Sequence, residues 1–364
     1  MLDVNYRHRE PTGSVTLLSE KDVNQIFRDE FGDRWDTYRH AWYSAGAWEN
    51  ALDFPLSLEF ETNNTCNYRC HMCSFAAPEL HPDHWNNVSK GFLSMDLYKR
   101  LIDEGSEHGL PAATYGFHCE PLQHPELHEM IAYARKKNVF DLRVGTNGHY
   151  LTKDVSRRLV DSGLTRLEVS LDALDKETFD KVRVGGDFNT VFSNVHDFLE
   201  IRNKTGSQFP LLRVSFVKLN VNKHQLDEFM DYWKQYADYF SIQEPIDYVT
   251  DGNNTPLSSQ LSGTALRFKS KEKPGFQCAK ITHRMYIRFN GMALPCGFVQ
   301  GWDDMYLGDL NEQSASEIWN CEKFNNLRKL HGSARYMDNP PCHNCVLRTE
   351  VEEIDQYEDQ IHAH

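Results

Sequence analysis

The sequence of 364 residues predicts an α/β protein, either a parallel β-barrel or a doubly wound sheet, with a smaller C-terminal region. Two observations predict this class. From residue 55 to residue 246, short apolar segments alternate with amphipathic helical segments, the order that gives parallel strands joined by helices. After residue 278 the pattern changes to a hairpin and short helices, which predicts a second domain.

The composition is that of an ordinary soluble protein, with 40% hydrophobic and 25% charged residues and no apolar run of membrane-spanning length. The N-terminus lacks the apolar segment of a secretory signal, so a cytoplasmic protein is expected. Acidic residues outnumber basic ones by 53 to 39. This charge disfavours a nucleic acid partner, and the absence of long apolar runs in the sequence disfavours a membrane partner.

Residues 1–54 are predicted to form a helical N-terminal extension. Ser19, followed by Glu20 and Asp22, has the character of an N-terminal helix cap with acidic residues in the first turn. Several Trp and Tyr residues follow between positions 35 and 48. We expect these aromatic side chains to pack the extension onto the main domain.

Residues 55–246 are predicted to contain six strands separated by helices. Gly105 and Gly163 are suitable residues for ending two of those helices. Five strand–helix units leading to a sixth strand are compatible with either parallel architecture. The strands are expected at 56–61, 112–117, 141–146, 166–171, 212–219 and 239–243.

The remainder of the chain divides into three parts. Residues 247–277 are polar and rich in Gly, Ser, Pro and Asn, and we expect a linker or an active-site loop there. Residues 278–347 contain a predicted hairpin that turns at Asn290 and Gly291, followed by a helix over 314–331. Residues 348–364 form an acidic tail, expected to be partly helical or disordered.

Three cysteines, Cys66, Cys70 and Cys73, follow the first of the six strands. In a chain without a secretory signal, cysteines this close indicate metal or redox chemistry before disulfides. A structural zinc site takes four ligands, and His71 is a candidate for the fourth. A cubane iron–sulfur cluster held by three thiolates instead leaves one iron free to bind a small molecule. The residues alone leave both interpretations open.

The C-x-x-x-C-x-x-C spacing directly after that strand resembles the signature of the radical S-adenosylmethionine (SAM) enzymes. The resemblance implies a partial (β/α)6 barrel of the TIM type and a [4Fe-4S] cluster held by the three cysteines. It also implies that SAM binds the open iron through its amino and carboxylate groups. Met72 departs from the family pattern, which usually has an aromatic residue before the third cysteine.

Four further segments at predicted strand ends resemble family motifs that hold SAM. YGFHCEPLQHPEL at 115–127 resembles the Gly-Gly-Glu-Pro segment, although His118 and Cys119 replace its two glycines. The other three segments are GTNGHYL at 145–151, EVSLDA at 168–173 and LRVSFVKLN at 212–220. Through this resemblance, SAM-binding roles are implied for Glu120, Asn147, Ser170, Asp172, Arg213 and Asn220.

A second group of cysteines lies in the C-terminal region. A C-x-x-C pair with two distant cysteines is the pattern of a zinc ribbon. Beside a radical SAM domain, however, this arrangement of four cysteines resembles the twitch extension, which is a shortened form of the SPASM domain. The spacing of the four cysteines resembles that of aminocyclitol dehydrogenases. One auxiliary [4Fe-4S] cluster without an open iron is therefore implied. Its ligands are expected to be Cys278, Cys296, Cys342 and Cys345.

Two cysteines remain outside these groups. Cys119 is a candidate catalytic residue, because a thiol near a substrate radical can return a hydrogen atom, as an epimerase requires. The alternative is that Cys119 is a small buried side chain. Cys321 is expected to be a packing residue on a helix.

The resemblance implies an oxidoreductase that generates a 5′-deoxyadenosyl radical and receives its electron from a flavodoxin or ferredoxin. A small polar substrate (a sugar, an aminocyclitol or a nucleotide sugar) is favoured, because residues 1–54 are too few for the leader-peptide-binding domain of peptide-modifying relatives. Dehydrogenation is the expected reaction, with epimerisation second. Two alternatives stay open: a peptide maturase, and a zinc-stabilised binding protein that is not an enzyme.

Overall fold

The computed structural model describes all nine cysteines and most of the chain around them. His71, the candidate fourth zinc ligand, and most of the predicted linker lie outside the described residues. The described residues are 6–9, 15–19, 21–49, 51–70, 72–73, 89–116, 118–243, 266–272, 275–299, 303–343, 345 and 349–356.

The N-terminal extension contains a hairpin as well as helices. Strands β1 (Tyr6–Arg9) and β2 (Val15–Ser19) are antiparallel, and helices α1 (Val23–Phe31) and α2 (Asp33–Gly46) follow. The prediction that Ser19 caps the first helix is wrong. Ser19 ends β2 and donates its hydroxyl to the Asp238 carbonyl at 2.7 Å, whereas Asp22 accepts the amide of Asn24 at 2.9 Å and caps α1.

Six parallel strands form the centre of the molecule, and all six agree with the predicted positions to within two residues. They neighbour one another in chain order, and β2 pairs with the last of them. A doubly wound sheet would reverse its strand order at a switch point, so the fold is the partial (β/α)6 barrel. The strands are β3 (Ser57–Phe60), β4 (Ala112–Tyr115), β5 (Asp141–Thr146), β6 (Arg166–Ser170), β7 (Leu211–Val217) and β8 (Tyr239–Gln243).

The barrel helices begin where polar side chains can satisfy their first amide groups. Ser94, Thr152 and Asp187 each accept an amide hydrogen bond from the residue three positions later. The apolar faces of these helices pack against the outward side chains of the strands in one continuous core. The helices are α3 (Met95–Glu107), α4 (Leu127–Lys136), α5 (Lys153–Asp161), α6 (Lys176–Val182), α7 (Phe188–Lys204) and α8 (Leu226–Trp233).

The C-terminal region extends the same sheet beyond β3. Strand β9 (Leu266–Glu272) lies outside this sheet, whereas β10 (Arg284–Ile287) runs parallel to β3, and β11 (Met292–Leu294) and β12 (Gly308–Asp309) follow. The hairpin prediction is confirmed: β10 and β11 are antiparallel, and Gly291 in their turn has a φ of 91°. The helices are α9 (Lys280–His283), α10 (Ala315–Trp319), α11 (Glu322–Gly332) and α12 (Pro340–His343).

Two details of this region differ from the predictions. The helix expected over 314–331 is divided into α10 and α11, because Cys321 caps the second helix by accepting the Phe324 amide at 3.4 Å. The acidic tail is not helical over its first part. Residues Thr349–Gln356 form strand β13, which pairs antiparallel with β9.

Candidate functional site

The cysteine loop follows the carboxyl end of β3, at the mouth of the barrel where the loops after all six strands meet. Cys70 is 4% exposed, and Cys66 and Cys73 are half-buried. The Cys73 amide donates to the Cys70 carbonyl at 3.0 Å, which closes a tight turn between them. The structure therefore brings all three predicted ligands together at the carboxyl-terminal mouth.

Burial favours the protonated form of the Cys66 and Cys70 thiols. It raises the pKa of Cys66 to about 11 and that of Cys70 to about 12, and for both the neighbouring cysteines add to the increase. Binding of iron to these sulfurs must therefore displace protons. The Arg183 guanidinium favours the deprotonated form of Cys70, since its Nη1 lies 3.8 Å from Cys70 Sγ.

Arg183 is a residue that the sequence analysis missed. It follows α6 and forms a buried ion pair with Asp172. The only sequence signal is an arginine between two valines ahead of Gly185 and Gly186.

Glu120 is buried, and its carboxylate is held by neutral donors. One oxygen accepts the Thr146 hydroxyl at 2.6 Å and the Leu122 amide at 3.1 Å. The other accepts the Asn147 amide at 2.8 Å. Burial raises the pKa of Glu120 to about 7, although these hydrogen bonds act in the opposite direction. The second oxygen retains acceptor capacity for a further donor.

Asn147 joins the cysteine loop to the end of β5. Its Nδ2 donates to Asn67 Oδ1 at 2.8 Å and lies 3.9 Å from Cys66 Sγ. Its own Oδ1 accepts the His149 amide at 2.9 Å. Glu120 and Asn147 therefore lie next to the first cysteine, as the motif resemblance implied.

The backbone after β4 approaches β5 closely. Gly116 has a φ of 106°, and a Cβ on it would lie 2.4 Å from the Gly145 carbonyl oxygen. His118, in place of a motif glycine, has a φ of 56°. This segment therefore keeps a left-handed conformation at His118 without glycine, and the close approach depends on Gly116 instead.

The residues after β6 and β7 that were predicted to bind SAM differ in burial and in their hydrogen-bond partners. Ser170 ends β6 and accepts a weak hydrogen bond from Ser215 at 3.4 Å. Asp172 is fully buried, accepts the Val217 amide at 2.7 Å and pairs with Arg183, so its carboxylate positions the arginine. Asn220 follows β7, and its buried Oδ1 has no hydrogen-bond partner.

Arg213 is not part of this site, contrary to the motif-based expectation. It lies near the start of β7, points into the barrel and pairs with Glu168. It also lines a cavity with Ser57, Ala112 and Asp141, the first residues of their strands. Alternation along β7 turns the side chain into the barrel, and its position near the start of the strand places it toward the amino-terminal mouth.

Cys119 lies between the ends of β3 and β4. Its Sγ is 3.7 Å from Thr62 Oγ1. Burial raises the pKa of the Cys119 thiol to about 12, and the nearby acids Glu61 and Glu120 add to the effect. The thiol is therefore protonated at this mouth of the barrel.

The second group of cysteines comes together around β11. Burial raises the pKa of Cys296, and the three other predicted ligands, Cys278, Cys342 and Cys345, raise it further because they lie nearby. The Cys345 amide donates to the Cys342 carbonyl at 3.2 Å. The structure thus brings together the four cysteines that the sequence analysis grouped.

Two polar residues around Cys342 were not predicted. Asn339 Nδ2 donates to Cys342 Sγ at 3.0 Å, and His331 Nε2 lies 3.4 Å from the same sulfur. Burial lowers the pKa of His331 to about 4, so the ring is neutral. Cys321, which caps α11, has the structural role that was expected of it.

Both cysteine groups have the donor chemistry of iron–sulfur sites. Within the described residues, no three His, Cys, Asp or Glu side chains converge on a single-ion site. Thiolates that each bind a separate iron of a cubane do not need such convergence. Near the first group, His149 Nδ1, Arg183 Nε and Asn220 Oδ1 are buried without hydrogen-bond partners, so a polar ligand fits this mouth.

Comparison with known families agrees with this geometry. Residues 60–232 match the radical SAM superfamily, and residues 278–346 match the SPASM iron–sulfur cluster-binding domain. These two domains imply [4Fe-4S] clusters and SAM as cofactors. Within the described residues, no helix has the length and apolar character needed to span a membrane.

The chain is also similar to individual proteins. It is 24% identical over 329 residues to the tungsten-containing aldehyde ferredoxin oxidoreductase cofactor-modifying protein of Pyrococcus furiosus, covering 80% of this chain and 87% of that one. It is 28% identical over 217 residues to the mycofactocin maturase MftC of Mycobacterium tuberculosis, covering 60% of this chain but only 51% of the relative.

A solved structure shares the fold. It is Streptococcus suis SuiB bound to precursor peptide SuiA, with a TM-score of 0.54, 14% identity, and coverage of 87% of this chain and 74% of that one.

Proposed function

We propose that this chain, which contains a radical SAM domain followed by a SPASM domain, is an oxidoreductase that dehydrogenates a small polar substrate. A sugar, an aminocyclitol or a nucleotide sugar is the substrate class we favour. The observation that carries the proposal is the pairing of β10 with β3. It anchors the two cysteine groups on neighbouring strands of one sheet.

The residues at the carboxyl-terminal mouth have complementary roles in this proposal. Cys66, Cys70 and Cys73 hold the SAM-binding cluster, and the free acceptor capacity of Glu120 receives the ammonium group of SAM. When bound, this cluster and SAM supply a 5′-deoxyadenosyl radical that takes a hydrogen atom from the substrate, and the auxiliary cluster supplies an acceptor for one further electron. Asn147 fixes the cysteine loop.

The reaction balances as a two-electron oxidation. A substrate carbon that bears a hydroxyl group would lose one hydrogen atom to the deoxyadenosyl radical, then one electron to the auxiliary cluster and the hydroxyl proton to solvent, and would become a carbonyl. The two domains are in contact beside the carboxyl-terminal mouth, where the buried Glu61 carboxylate accepts hydrogen bonds from Arg288 Nε and from the Phe289 amide, each at 3.2 Å.

The test uses anaerobically reconstituted full-length protein with SAM and a low-potential reductant. We expect about two cubanes per chain from iron and sulfide analysis. With a panel of deuterated sugars, aminocyclitols and nucleotide sugars, we expect deuterated 5′-deoxyadenosine and an equal amount of ketone. Absence of 5′-deoxyadenosine with every compound, under conditions where the cubanes are intact, would contradict the proposal.

Epimerisation is a second candidate, favoured by the protonated Cys119 thiol at the same mouth. Replacement of Cys119 by Ala separates the two reactions. A dehydrogenase keeps its product yield, whereas an epimerase loses product and still cleaves SAM, because only the epimerase needs a hydrogen atom from the thiol. Mass spectrometry of the product in deuterated water gives the same distinction in the unaltered protein.

Peptide maturation is a third candidate, favoured by the similarity to a maturase and by the fold shared with a structure that holds a precursor peptide. A panel of short peptides in the same assay tests it. Deuterium transfer from a peptide, and from none of the small compounds, would replace the proposed substrate class and keep the radical chemistry.

A further inference from the structure

Two side-chain N–H groups lie against the sulfur of Cys342, one cysteine of the second group. Asn339 Nδ2 donates to it at 3.0 Å, and His331 Nε2 lies 3.4 Å from it. The two residues come from different segments, because His331 is near the end of α11 and Asn339 precedes α12. Asn339 Nδ2 also lies 3.7 Å from Met305 Sδ, so the second hydrogen of this amide has its own acceptor.

The hydrogen bonds of the His331 ring determine which of its nitrogens carries the hydrogen. The Cys278 amide donates to Nδ1 at 3.4 Å, so Nδ1 is an acceptor and bears no hydrogen. An imidazole with an unprotonated Nδ1 carries its hydrogen on Nε2. His331 therefore donates from Nε2 to Cys342 Sγ, and a nitrogen that carries a hydrogen cannot bind iron as a ligand.

Aromatic rings hold His331 in this orientation. The imidazole stacks on the Tyr336 ring at a centroid distance of 5.5 Å and on the Trp48 ring at 6.4 Å. The Phe276 ring meets it edge-on at 6.3 Å. His331 is 1% exposed, so solvent has little access to the Nε2 hydrogen. Both the direction and the partner of this donor are therefore fixed by packing.

Hydrogen bonds to the sulfurs of an iron–sulfur cluster are among the factors that set its reduction potential. Reduction adds one electron, and part of the added negative charge lies on the thiolate sulfurs. A hydrogen bond to an acceptor strengthens as that acceptor becomes more negative. An N–H group directed at a ligand sulfur therefore stabilises the reduced cluster more than the oxidised one and raises the potential.

We propose that His331 and Asn339 raise the reduction potential of the auxiliary cluster through their hydrogen bonds to Cys342. Both are positioning residues, because they act through the cysteine sulfur. This inference rests on the part of the proposed function that assigns the second group of cysteines to one auxiliary cluster. In the proposed reaction, a higher potential favours transfer of one electron from the substrate radical to this cluster, while the hydroxyl proton goes to solvent.

The measurement is a redox titration of the reconstituted full-length protein with dithionite as the reductant, followed by electron paramagnetic resonance. SAM distinguishes the two clusters, because it binds only a cluster with an open iron. The signal that SAM leaves unchanged belongs to the auxiliary cluster. No substrate is present, so the result is independent of which substrate and which reaction the enzyme has.

Two variants each remove one donor. His331→Phe keeps an aromatic ring between its neighbours, and Asn339→Leu keeps a side chain of similar volume. For each variant we expect the equilibrium constant for one-electron reduction of the auxiliary cluster to fall about tenfold, a shift of about 59 mV to a more negative midpoint potential. Because the two donors lie on different segments, Asn339→Leu still tests the inference if His331→Phe does not fold.

A conservative variant and a control separate hydrogen bonding from packing. His331→Gln retains an N–H group that reaches the position of Nε2 and should keep most of the original potential. Asn326→Leu, an exposed change on α11, should leave the potential unaltered. An equal shift in His331→Phe and His331→Gln, or a shift of the same size in Asn326→Leu, overturns the inference.

Iron and sulfide analysis of each protein separates this inference from the proposed function. An unchanged midpoint potential in His331→Phe and Asn339→Leu, with about eight irons per chain, overturns the inference and leaves the proposed function intact. If the unaltered protein binds only about four irons, it has no auxiliary cluster, and the proposed function and the inference are both wrong.

Discussion

The two mouths of the barrel are built on the same six strands, but Glu120 at one mouth is held differently from the buried carboxylates at the other. At the carboxyl-terminal mouth, Glu120 is surrounded by neutral donors, and burial raises its pKa to about 7. At the amino-terminal mouth, buried carboxylates face arginines directly. Asp141 lies 2.6 Å from Arg166, and Asp238 lies 2.5 Å from Arg202.

This difference shows that Glu120 is suited to a cationic partner, whereas Asp172 at the same mouth is already paired with Arg183. A carboxylate already paired with arginine has little to gain from another cation. A buried carboxyl without such a pair is destabilised when ionised, and a ligand that brings positive charge relieves that cost. The arrangement agrees with the general division in such barrels, where chemistry lies at the carboxyl-terminal face and stability at the other.

The largest expected effect comes from removing a thiol at the carboxyl-terminal mouth. Cys70→Ala should lose roughly four of eight irons per chain after reconstitution. It should form no 5′-deoxyadenosine, because the remaining two thiols cannot hold the cluster in place. Iron analysis and product chromatography measure the two effects.

The matched control for that variant is Cys321→Ala. Cys321 is half-buried and caps α11, so its loss should lower stability slightly and leave the iron content unchanged. Equal iron loss in both variants would mean that Cys70 is not a cluster ligand.

At the amino-terminal mouth, removal of a buried charged partner should lower the stability of the fold and leave cluster binding unchanged. Arg202→Met leaves the buried Asp238 without its arginine, although Lys21 remains at 3.1 Å from the other oxygen. We expect a loss of about 3 kcal/mol in the free energy of unfolding, measured by urea denaturation, with normal iron content. Lys204→Met, on the same helix but in an exposed pair with Glu200, should have no measurable effect.

The pH dependence of stability that Glu120 causes tests the comparison between the two mouths of the barrel. Its pKa is raised from 4.5 to about 7, so the folded state binds the proton more tightly than the unfolded chain. The stability that this supplies is present below pH 4.5 and is lost as the pH rises to about 7, a change of about 3 kcal/mol. Glu120→Gln cannot ionise, so the cluster-free variant should gain stability relative to the unaltered protein over this range.

Urea denaturation of the two cluster-free proteins at pH 5 and pH 8 measures that gain. Glu177→Gln is the control, because Glu177 is an exposed residue on α6 that pairs with Lys181, so the change should alter the stability at pH 5 and at pH 8 alike. A difference between Glu120→Gln and the unaltered protein that is the same at both pH values would contradict the raised pKa.

Much of the fold and the centre of the site could be predicted from the sequence, because both depend on local pattern. Strand position follows from short apolar segments, and the cysteine groups follow from spacing. Glu120 and Asn147 were found because their segments resemble family motifs, and both segments follow parallel strands whose ends meet at one mouth.

The residues that were missed or misplaced depend on contacts between distant segments. Arg183 is brought to Cys70 by a loop more than 100 residues away in sequence. Arg213 lies near the start of β7 and therefore toward the mouth opposite the cysteine loop, and a motif match does not reveal where the strand begins. Ser19 looks like a helix cap until its hydroxyl is seen to bond to Asp238.

The smallest expected effect concerns the contact between the barrel and the SPASM domain. Glu104 on α3 accepts the amides of Ala315 at 2.9 Å and Ser316 at 2.7 Å, so a barrel side chain caps a SPASM helix. Glu104→Gln removes the charge that favours the N-terminus of α10 and should cost about 1 kcal/mol.

Hydrogen exchange of the α10 amides is the sensitive measurement for this loss, because loosening should be confined to the region beyond the barrel. Glu107→Gln, an exposed change at the end of the same barrel helix, should leave exchange unaltered. If both variants leave the α10 amides equally protected, the capping contact does not hold the two domains together. The pairing of β10 with β3 and the Glu61–Arg288 pair would then fix the SPASM domain on the barrel.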